Sequence, residues 1–551
     1  MFLSSVKLNI DRPEKYSSKR LVIMHLTSFA LGSGILSLVS ALPSNTPVDL
    51  PKRQDEAPPP TYASSPSSSD ERAQAVVGAF RTSWDGYRKY AFPMDELRPL
   101  SNNGSNSRNG WGASAVDALS TALIMGQKDI VNEIIEYIPA INWAFTEDSV
   151  SLFETTIRYL GGMLSGYDLL SGPLAHLADD PANVEALLTQ SINLANNLSY
   201  AFETPSGVPW NVLTFNNRSN DGSENGLATV GTLILEWVRL ADLSGNRTFA
   251  DLVEKAEQYL LYPSPDFAEP FPGLLGSTIN VTTGQFTDAQ GGWIGGSDSF
   301  YEYLIKMFIY DPRYVFLKDR WVKAADSSIA YLASNPAPRP DLTFLAAYEN
   351  TTLDLTSQHL ACFDGGNFIL GGQVLDRQDY IDFGLKLVNG CHETYISTAT
   401  RIGPEIFSWN TSAVPANQTG FFNRTGFFIE DAGYQLRPEV IESYYYAYRA
   451  TSDPKYQEWA WDAFVAINAT TRVGSGYSSI KDINVVGGGG YTDFQESFWF
   501  AEVLKYSFAI QAGDAEWQVS RDGVNEWVYN TEAHPVRVYG GGNTTRGLVG
   551  Q

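Results

Sequence analysis

The feature that most constrains the fold of this chain is a repeated pairing of amphipathic segments through short turns. From about Ala73 onward, apolar residues recur three and four positions apart, which is the spacing of an α-helix with one buried face. Alternating, strand-like runs are short and scattered. Four turns, at 123–129, 240–247, 310–314 and 448–456, end one helical segment and begin the next with Gly, Asp or Pro. The chain is therefore predicted to be all-α.

The number of helices indicates a repeated two-helix unit. About fourteen candidate helices lie between Glu71 and Gln511, which makes about seven hairpins. Seven hairpins can stack as an open solenoid or close into a toroid, and the periodicity does not choose between them. Because binding and catalytic residues are usually carried by long loops on a rigid scaffold, the functional site is expected near the long connections. These connections are polar and Gly-rich, at 101–112, 211–224, 263–296, 403–433 and 473–493.

The N-terminal segment has the order of a secretory leader. Lys19 and Arg20 precede an apolar run over 21–38, and small residues end the segment at Ala41. We predict that residues 1–41 are a leader and that the protein is secreted. The alternative is an uncleaved N-terminal anchor that keeps the protein in the lumen of the endoplasmic reticulum or Golgi. Polar residues within the run make it a weak membrane span.

Composition divides the rest of the chain into three parts. Residues 42–70 are dense in Pro and Ser and contain the dibasic pair Lys52-Arg53, so they are predicted to be a linker or pro-region. Residues 71–540 contain no further linker and are predicted to form one catalytic domain. Residues 541–551 are a C-terminal tail.

The charge of the chain excludes two classes of partner. The formal net charge is -24 and the sequence pI is about 4.6. Nucleic acids and anionic membrane surfaces are bound mainly by clustered Lys and Arg, so neither is an expected partner. We expect a monomer.

Cysteine and asparagine usage fits the secretory pathway. Cys362 and Cys391 are the only cysteines and allow one intramolecular disulfide, with two buried free thiols as the alternative. Their spacing excludes a CxxC metal site. Eleven N-x-Ser/Thr sequons are predicted glycosylation sites: Asn103, Asn197, Asn217, Asn246, Asn280, Asn350, Asn410, Asn417, Asn423, Asn468 and Asn543.

Carboxylates are the residues most suited to catalysis. The chain has five His and contains neither a G-x-S-x-G nucleophile motif nor a P-loop. Acidic residues instead stand beside aromatic residues and Arg at predicted helix starts, in 153–158, 298–302, 436–443 and 496–498. Any one of them could be an ordinary first-turn acid, favoured by the helix dipole. Four together, each after a long loop, fit an acidic pocket, and glycoside hydrolysis requires a carboxylic acid and a carboxylate base.

These clusters belong to six motifs that resemble glycoside hydrolase family 47, the class I α-1,2-mannosidases. The resemblance extends over 73–535 and is closest in character to the secreted fungal members. The motifs occur in the order of the family, at 109–119, 153–158, 298–304, 359–363, 436–443 and 529–535.

The resemblance implies an (α/α)7 barrel, a disulfide between Cys362 and Cys391, and an inverting, Ca²⁺-dependent enzyme. Such an enzyme removes terminal α-1,2-linked mannose from high-mannose N-glycans on glycoproteins or from free oligosaccharides. Glu154 and Asp298 resemble the acid-side carboxylates, with Glu154 preferred as the proton donor, directly or through water, and Glu439 resembles the base. Thr531 resembles the calcium ligand. The residues that resemble sugar contacts are Arg158, Glu236, His359, Arg437, Glu442, Phe498, Glu502 and Glu532.

Two positions depart from relatives of the chain. Ser120 stands where many members have a second Asp, so a contact supported by that Asp is expected to be missing. Gly296 stands where the family members found in the endoplasmic reticulum have an Arg that narrows specificity to one branch of the glycan. A Gly implies a roomier pocket, so the removal of several mannoses is expected.

Two competing functions remain open at this stage. One is a mannose-binding factor with little turnover, and the other is an open helical scaffold for protein partners. The presence of the whole acidic set together with Thr531 favours catalysis.

Overall fold

The computed structural model describes residues 68–540 as a helical protein with short strands in its connections. The predicted leader, most of the predicted linker, the tail and the Asn543 sequon lie outside the described residues. The α-helices are α1 (Ser69–Tyr90), α2 (Ala113–Ile124), α3 (Lys128–Tyr137), α4 (Leu152–Thr155), α5 (Gly161–Leu170), α6 (Pro181–Leu198), α7 (Leu227–Gly231), α8 (Ile234–Ser244), α9 (Thr248–Leu261), α10 (Asp298–Tyr310), α11 (Val315–Ser327), α12 (Asp364–Val374), α13 (Gln378–Ile396), α14 (Thr419–Thr425), α15 (Glu439–Thr451), α16 (Lys455–Thr471) and α17 (Leu504–Ala509).

The strands pair into small antiparallel sheets of two or three strands. They are β1 (Glu96–Arg98), β2 (Asn103–Ser105), β3 (Val150–Ser151), β4 (Val212–Thr214), β5 (Ser219–Asp221), β6 (Glu224–Gly226), β7 (Thr278–Asn280), β8 (Gln290–Gly291), β9 (Ala333–Ser334), β10 (Phe344–Leu345), β11 (Ala347–Glu349), β12 (Thr352–Asp354), β13 (Thr356–Gln358), β14 (Ile406–Ser408), β15 (Phe428–Asp431), β16 (Arg472–Val473), β17 (Gly476–Tyr477), β18 (Trp527–Tyr529) and β19 (Pro535–Arg537).

The helices form seven pairs that close into a ring. Six pairs are hairpins of consecutive long helices: α2 with α3, α5 with α6, α8 with α9, α10 with α11, α12 with α13, and α15 with α16. The seventh joins α17 to α1, so the two ends of the helical region pack together. The first helices of the hairpins contact one another in the order α2, α5, α8, α10, α12, α15, α17 and back to α2. This closed inner ring confirms the predicted (α/α)7 barrel.

The inner helices are buried on all sides, whereas the outer helices bury one face. Every residue of α2 is buried, and α10 is buried at every position except Asp298. The outer helix α9 keeps its exposed side polar. A helix that is apolar all round belongs in a core, so the amphipathic helices occupy the outside. Close packing of α12 requires glycine, because a Cβ on Gly365 would lie 2.7 Å from Val388.

The two ends of the barrel differ, as the connection lengths predicted. The tight turns follow inner helices and lead to their outer partners, whereas the long connections precede α2, α8, α10, α15 and α17. The hairpin of β18 and β19 enters the barrel from the tight-turn end and contacts α10 and α5. Its turn is fixed there, since Asn530 Nδ2 donates to Ile157 O (2.8 Å) and Ser165 Oγ donates to Pro535 O (2.6 Å).

The predicted disulfide is present, and the predicted glycosylation sites are accessible where the structure describes them. Cys362 and Cys391 form a disulfide, which joins the turn before α12 to α13. Each sequon asparagine within 68–540 is at least partly exposed, although Asn468 lies inside α16 and accepts a hydrogen bond from the Tyr477 hydroxyl (2.6 Å). Within the same range, none of the helices is long and apolar enough to cross a bilayer.

Candidate active site

The predicted site residues converge inside the barrel from six of the inner helices, or the turns that lead into them, and from the β18–β19 hairpin. The starts of the inner helices carry most of them, because the long loops deliver the chain to that end of the barrel. With Asp117 on α2 and Glu302 on α10, the ionisable ones form a set in electrostatic contact: Glu154, Arg158, Glu236, Asp298, His359, Arg437, Glu439, Glu442, Glu502 and Glu532.

Two inner helices contain a π-helical turn, and each turn carries a site residue. Arg158 lies in the turn Thr156–Leu160 between α4 and α5, and Glu502 lies in the turn Trp499–Val503 before α17. A π turn adds one residue to a helical repeat and shifts the direction of the side chains that follow; such turns are frequent at functional sites.

Glu154 is held ionised by two arginines. Arg158 Nε donates to Glu154 Oε2 (2.8 Å), and Arg108 Nε lies 3.4 Å from the same oxygen. Burial by itself would raise the pKa of Glu154, but Arg108 and Arg158 outweigh it and lower the pKa to about 2. Glu154 is therefore a carboxylate at every pH at which the protein is expected to work.

Arg158 also joins parts of the barrel that are distant in sequence. Its Nη1 donates to Glu532 in the hairpin turn and to Ser497 Oγ (3.3 Å), and it lies 3.5 Å from Asp117 Oδ2 on α2. The guanidinium stands over the ring of Phe498, 5.6 Å from its centroid. One side chain thus connects the acid clusters with the hairpin that enters the barrel.

Glu439 is the second ionised carboxylate, at the start of α15. His359 Nδ1–H donates to Glu439 Oε2 (2.7 Å), and His359 Nε2 accepts from the Tyr395 hydroxyl (2.7 Å), which fixes the imidazole. Burial raises the pKa of Glu439, but His359 and Arg437 outweigh it and bring the pKa below its usual value. Arg437 is itself held by Glu405, to which its Nε donates (2.6 Å).

Asp298 differs from both of these carboxylates because no Lys, Arg or His among residues 68–540 forms an ion pair with it. It is the first residue of α10, and it accepts hydrogen bonds from the Ser299 backbone N–H (2.7 Å) and hydroxyl (3.3 Å). Burial and repulsion by Glu302 and Glu439 outweigh these bonds and raise the pKa of Asp298 to about 7. The site therefore sets a proton-holding Asp298 against an ionised Glu439.

Further acids form the interior of the barrel beneath these residues. Lys306 donates to Glu302 one turn earlier on α10, and the Tyr506 hydroxyl donates to Glu442 Oε1 (3.2 Å). Burial and repulsion by Glu302 raise the pKa of Glu442 to about 8. Burial and repulsion by neighbouring acids also raise the pKa of Glu502. The acidic side chains in this interior thus outnumber the cations available to pair with them, and burial and this imbalance keep the pKa values of Glu442 and Glu502 high.

The hairpin turn places Thr531 beside Glu236. Glu236 Oε1 accepts from the Tyr303 hydroxyl (2.6 Å) and from Asn530 Nδ2 (2.8 Å), while its Oε2 is buried without a partner. The Tyr303 oxygen in turn accepts from the Thr531 N–H (3.2 Å). Burial raises the pKa of Glu236 to about 7. Within 68–540, no group of three or more His, Cys, Asp and Glu side chains is arranged to hold a metal ion directly.

The Ser120 hydroxyl lies in a hydrogen-bond network that reaches the hairpin turn, while the absence of a contact made by a second Asp stays a prediction. Lys505 Nζ donates to Ser120 Oγ (2.8 Å) and to Ala533 O (2.5 Å) in the hairpin turn. Ser120 Oγ–H donates to His534 Nδ1 (2.8 Å), whose Nε2–H donates to Asp117 Oδ1 (3.3 Å). These hydrogen bonds end at Asp117, which also lies close to Arg158. The hydroxyl of Ser120 thus links α2 to the hairpin turn.

Sequence reasoning missed several residues that complete the site. Glu302 lies one helical turn after Asp298 on α10, so helical spacing alone could have identified it. Glu496 stood in a recognised acid cluster and faces Arg108, Arg158 and Arg437. Asn530 lay within the recognised motif at 529–535, whereas Lys505 had no local signal, because its contacts are with residues far away in the sequence.

A closed helical barrel has the layout of a glycoside hydrolase when its polar interior holds both carboxyl groups with raised pKa values, such as Asp298, and carboxylates with lowered pKa values, such as Glu154 and Glu439. Glycoside hydrolysis needs both charge states at once. The sequence pattern that describes glycosyl hydrolase family 47 matches residues 79–538. The chain belongs to this family and is a glycosyl hydrolase.

Relatives and a solved structure agree with this assignment. The chain is 57% identical over 517 residues to a probable mannosyl-oligosaccharide α-1,2-mannosidase 1B of Aspergillus niger, covering 94% of this chain and 99% of the relative. It is 58% identical over 477 residues to a mannosyl-oligosaccharide α-1,2-mannosidase of Penicillium citrinum, covering 86% of this chain and 93% of the relative. The structure of an α-1,2-mannosidase from Trichoderma reesei matches with a TM-score of 0.84 at 50% identity, covering 85% of this chain and 99% of that chain.

The Ser120 contacts predict a specific loss of stability. Ser120→Ala leaves His534 Nδ1 without its donor and Lys505 with one acceptor fewer, so the free energy of unfolding should fall by about 1–3 kcal/mol. Ser114→Ala is the matched control, because the Ser114 hydroxyl is buried on the same helix without a partner and its removal should be close to neutral. Urea denaturation measures both; equal stability of the two variants would show that the Ser120 contacts contribute nothing.

Proposed function

We propose that the protein is an exo-acting mannosyl-oligosaccharide α-1,2-mannosidase that works by inversion. The observation that carries the chemistry is the difference in surroundings of two carboxyl groups. Within the described part of the chain, Asp298 accepts hydrogen bonds only from Ser299, and its pKa is raised to about 7. Glu439 is bonded to His359 and faces Arg437, and its pKa is lowered. The names of the relatives support the substrate, a high-mannose N-glycan on a glycoprotein or a free oligosaccharide. The predicted leader supports secretion.

In the proposed reaction, Glu439 accepts a proton from water, and this water attacks the anomeric carbon of the terminal mannose. Asp298 donates its proton to the leaving oxygen, so that the C–O bond breaks and the released mannose has the inverted configuration. This division differs from the sequence-based preference for Glu154 as donor. Two arginines keep Glu154 ionised, so it is better suited to bind hydroxyls or to stabilise positive charge at the anomeric centre.

With α-1,2-mannobiose as the substrate, the dependence of kcat/KM on pH should be bell-shaped. Activity should fall as pH rises through about 7, where Asp298 loses its proton, and at low pH, where Glu439 gains one. His359→Phe removes a donor to Glu439, so the acidic limb should move upward while the basic limb stays. Glu439→Gln should lower kcat by roughly 10²- to 10⁴-fold. A basic limb that disappears in Glu154→Gln but persists in Asp298→Asn would contradict the assignment.

We also propose that Ca²⁺ binds at Thr531, and the residues present fit such an ion. Glu236 has a buried oxygen without a partner, and the pKa values of Glu442 and Glu502 are raised by burial and mutual repulsion, so the interior lacks positive charge. Thr531 would hold the ion through its hydroxyl and carbonyl oxygens, with the carboxylates binding its water shell. When bound, a hard cation supplies a site for sugar hydroxyls and lowers the pKa of bound water.

Calcium should stabilise the folded protein, which can be measured without turnover. An ion at one hundred times its Kd adds about 2.7 kcal/mol to the free energy of unfolding, so Tm should rise on addition of CaCl₂ and fall with chelator. Thr531→Ser keeps the hydroxyl and should keep this response, whereas Thr531→Val should weaken it. An unchanged Tm in all three proteins, together with hydrolysis by the chelated enzyme, would exclude the site.

Gly296 is proposed to leave room for several branches of the glycan. Gly296 lies two residues before Asp298, and its carbonyl accepts a hydrogen bond from the Ala228 N–H (3.0 Å). A Cβ built on Gly296 would meet no atom within 4 Å. The position therefore opens onto free space next to the proposed acid.

A nine-mannose glycan should lose more than one mannose to the native enzyme, and Gly296→Arg should reduce the number. Gly296→Ala is the control, because φ is +94° at this position and any side chain strains the backbone there. Chromatography of the glycan products measures the outcome. Release of a single mannose by the native enzyme would contradict the role of Gly296, and no release by the folded protein would favour the mannose-binding function.

A further inference from the structure

A cavity separate from the active site lies between the outer helices α9 and α11 of the barrel, near the tight turns. Its volume is about 300 Å³, within the range of pockets that hold small molecules. The lining includes Arg247, Glu254 and Glu257 from the α9 side and Arg313 and Phe316 from the α11 side. None of these residues belongs to the active site, which is built from the inner helices and the hairpin.

The carboxyl group of Glu257 is directed into this cavity without a protein partner. Glu257 is 2% exposed, yet it makes no hydrogen bond within the described part of the chain, and the nearby Arg320 leaves Nε and Nη2 unpaired while its Nη1 binds Glu269. Burial raises the pKa of Glu257 to about 8, against the lowering effect of Arg320. At neutral pH the group is therefore mostly a neutral acid that can both donate and accept a hydrogen bond.

The charged groups at the mouth are already paired with one another. Glu254 accepts from the Tyr314 hydroxyl (2.5 Å) and from Arg247, and Arg313 pairs with Asp311. A free anion would have to displace these partners, and a cation would require Glu257 to ionise. The cavity thus offers neutral hydrogen-bonding groups and paired ions, which favours an uncharged ligand.

One wall of the cavity offers an aromatic surface. Phe316 is 40% exposed, although its ring lies against Tyr314 with the centroids 5.7 Å apart. A sugar ring is recognised by two kinds of side chain. Planar polar side chains bind its adjacent hydroxyls, and an exposed aromatic ring stacks on its C–H groups. We propose that this cavity is a second carbohydrate site, separate from the catalytic one, that binds a neutral pyranose.

Two sources could supply such a ring. Asn246 is an exposed sequon residue directly before Arg247, which lines the cavity, so a glycan carried by Asn246 would begin at the mouth. A mannose residue of another glycan is the second source. Both present a neutral pyranose ring to Glu257.

Hydrogen exchange followed by mass spectrometry tests the site at the level of peptides. The glycosylated protein is compared with Asn246→Gln, and each is measured with and without methyl α-mannoside in a Glu439→Gln background that prevents turnover. If the attached glycan is the ligand, exchange in 248–261 and 315–320 should be faster in Asn246→Gln. If a free sugar binds, methyl α-mannoside should slow exchange there in Asn246→Gln.

Variants of Glu257 make the result specific. Glu257→Gln keeps a neutral donor and acceptor and should retain the protection from exchange. Glu257→Leu should abolish this protection. The Leu variant should not lower Tm, because the substitution removes a buried carboxyl that has no hydrogen-bond partner among the described residues. Asp319→Asn, an exposed change on α11 outside the cavity, should retain it. Exchange that responds neither to loss of the Asn246 glycan nor to added sugar would overturn the proposal, as would equal protection in Glu257→Leu. Neither outcome depends on hydrolysis at the catalytic site.

Discussion

The arrangement of the active site depends on how one buried guanidinium, that of Arg158, is shared among acids. Its partners Glu154, Asp117 and Glu532 come from α4, from α2 and from the β18–β19 hairpin. Removing one member of a buried ion pair typically costs about 3–5 kcal/mol, because the charge that remains is unpaired. The position of the hairpin, and therefore of Thr531, is fixed by electrostatics as well as by packing.

The unequal distribution of positive charge divides the carboxylates into two groups. Glu154 is ionised by Arg108 and Arg158, and Glu439 by His359 and Arg437, while Asp298 has only hydrogen bonds from Ser299 and holds a proton near neutral pH. On the proposed assignment, the same fold supplies an acid and a base from chemically similar side chains. Environment, and not residue type, assigns the roles.

The sequence predicted the barrel, and the residues that it grouped as a site lie together inside that barrel, but the charge states of these residues depend on contacts that the sequence does not show. Helical spacing and turn chemistry identified the hairpins, and the motif at 529–535 located Thr531 and Glu532 before their position inside the barrel was known. The preference for Glu154 as proton donor relied on resemblance, and it could not take account of Arg108, which approaches from another loop. Ser120 shows the same limit, since its bonds with Lys505 and His534 join residues separated by several hundred positions.

The configuration of the first mannose released tests the central claim most directly. Glu439 is assigned to activate water on the face of the sugar opposite the leaving oxygen, so one-step displacement must invert the anomeric carbon. Proton NMR of the hydrolysis of the methyl α-glycoside of α-1,2-mannobiose, whose leaving group is methyl α-mannoside, should show β-mannose first, followed by slow mutarotation to the α-anomer. Initial appearance of α-mannose would contradict the account, because it would require Glu439 or Asp298 to act as a nucleophile in a retaining mechanism.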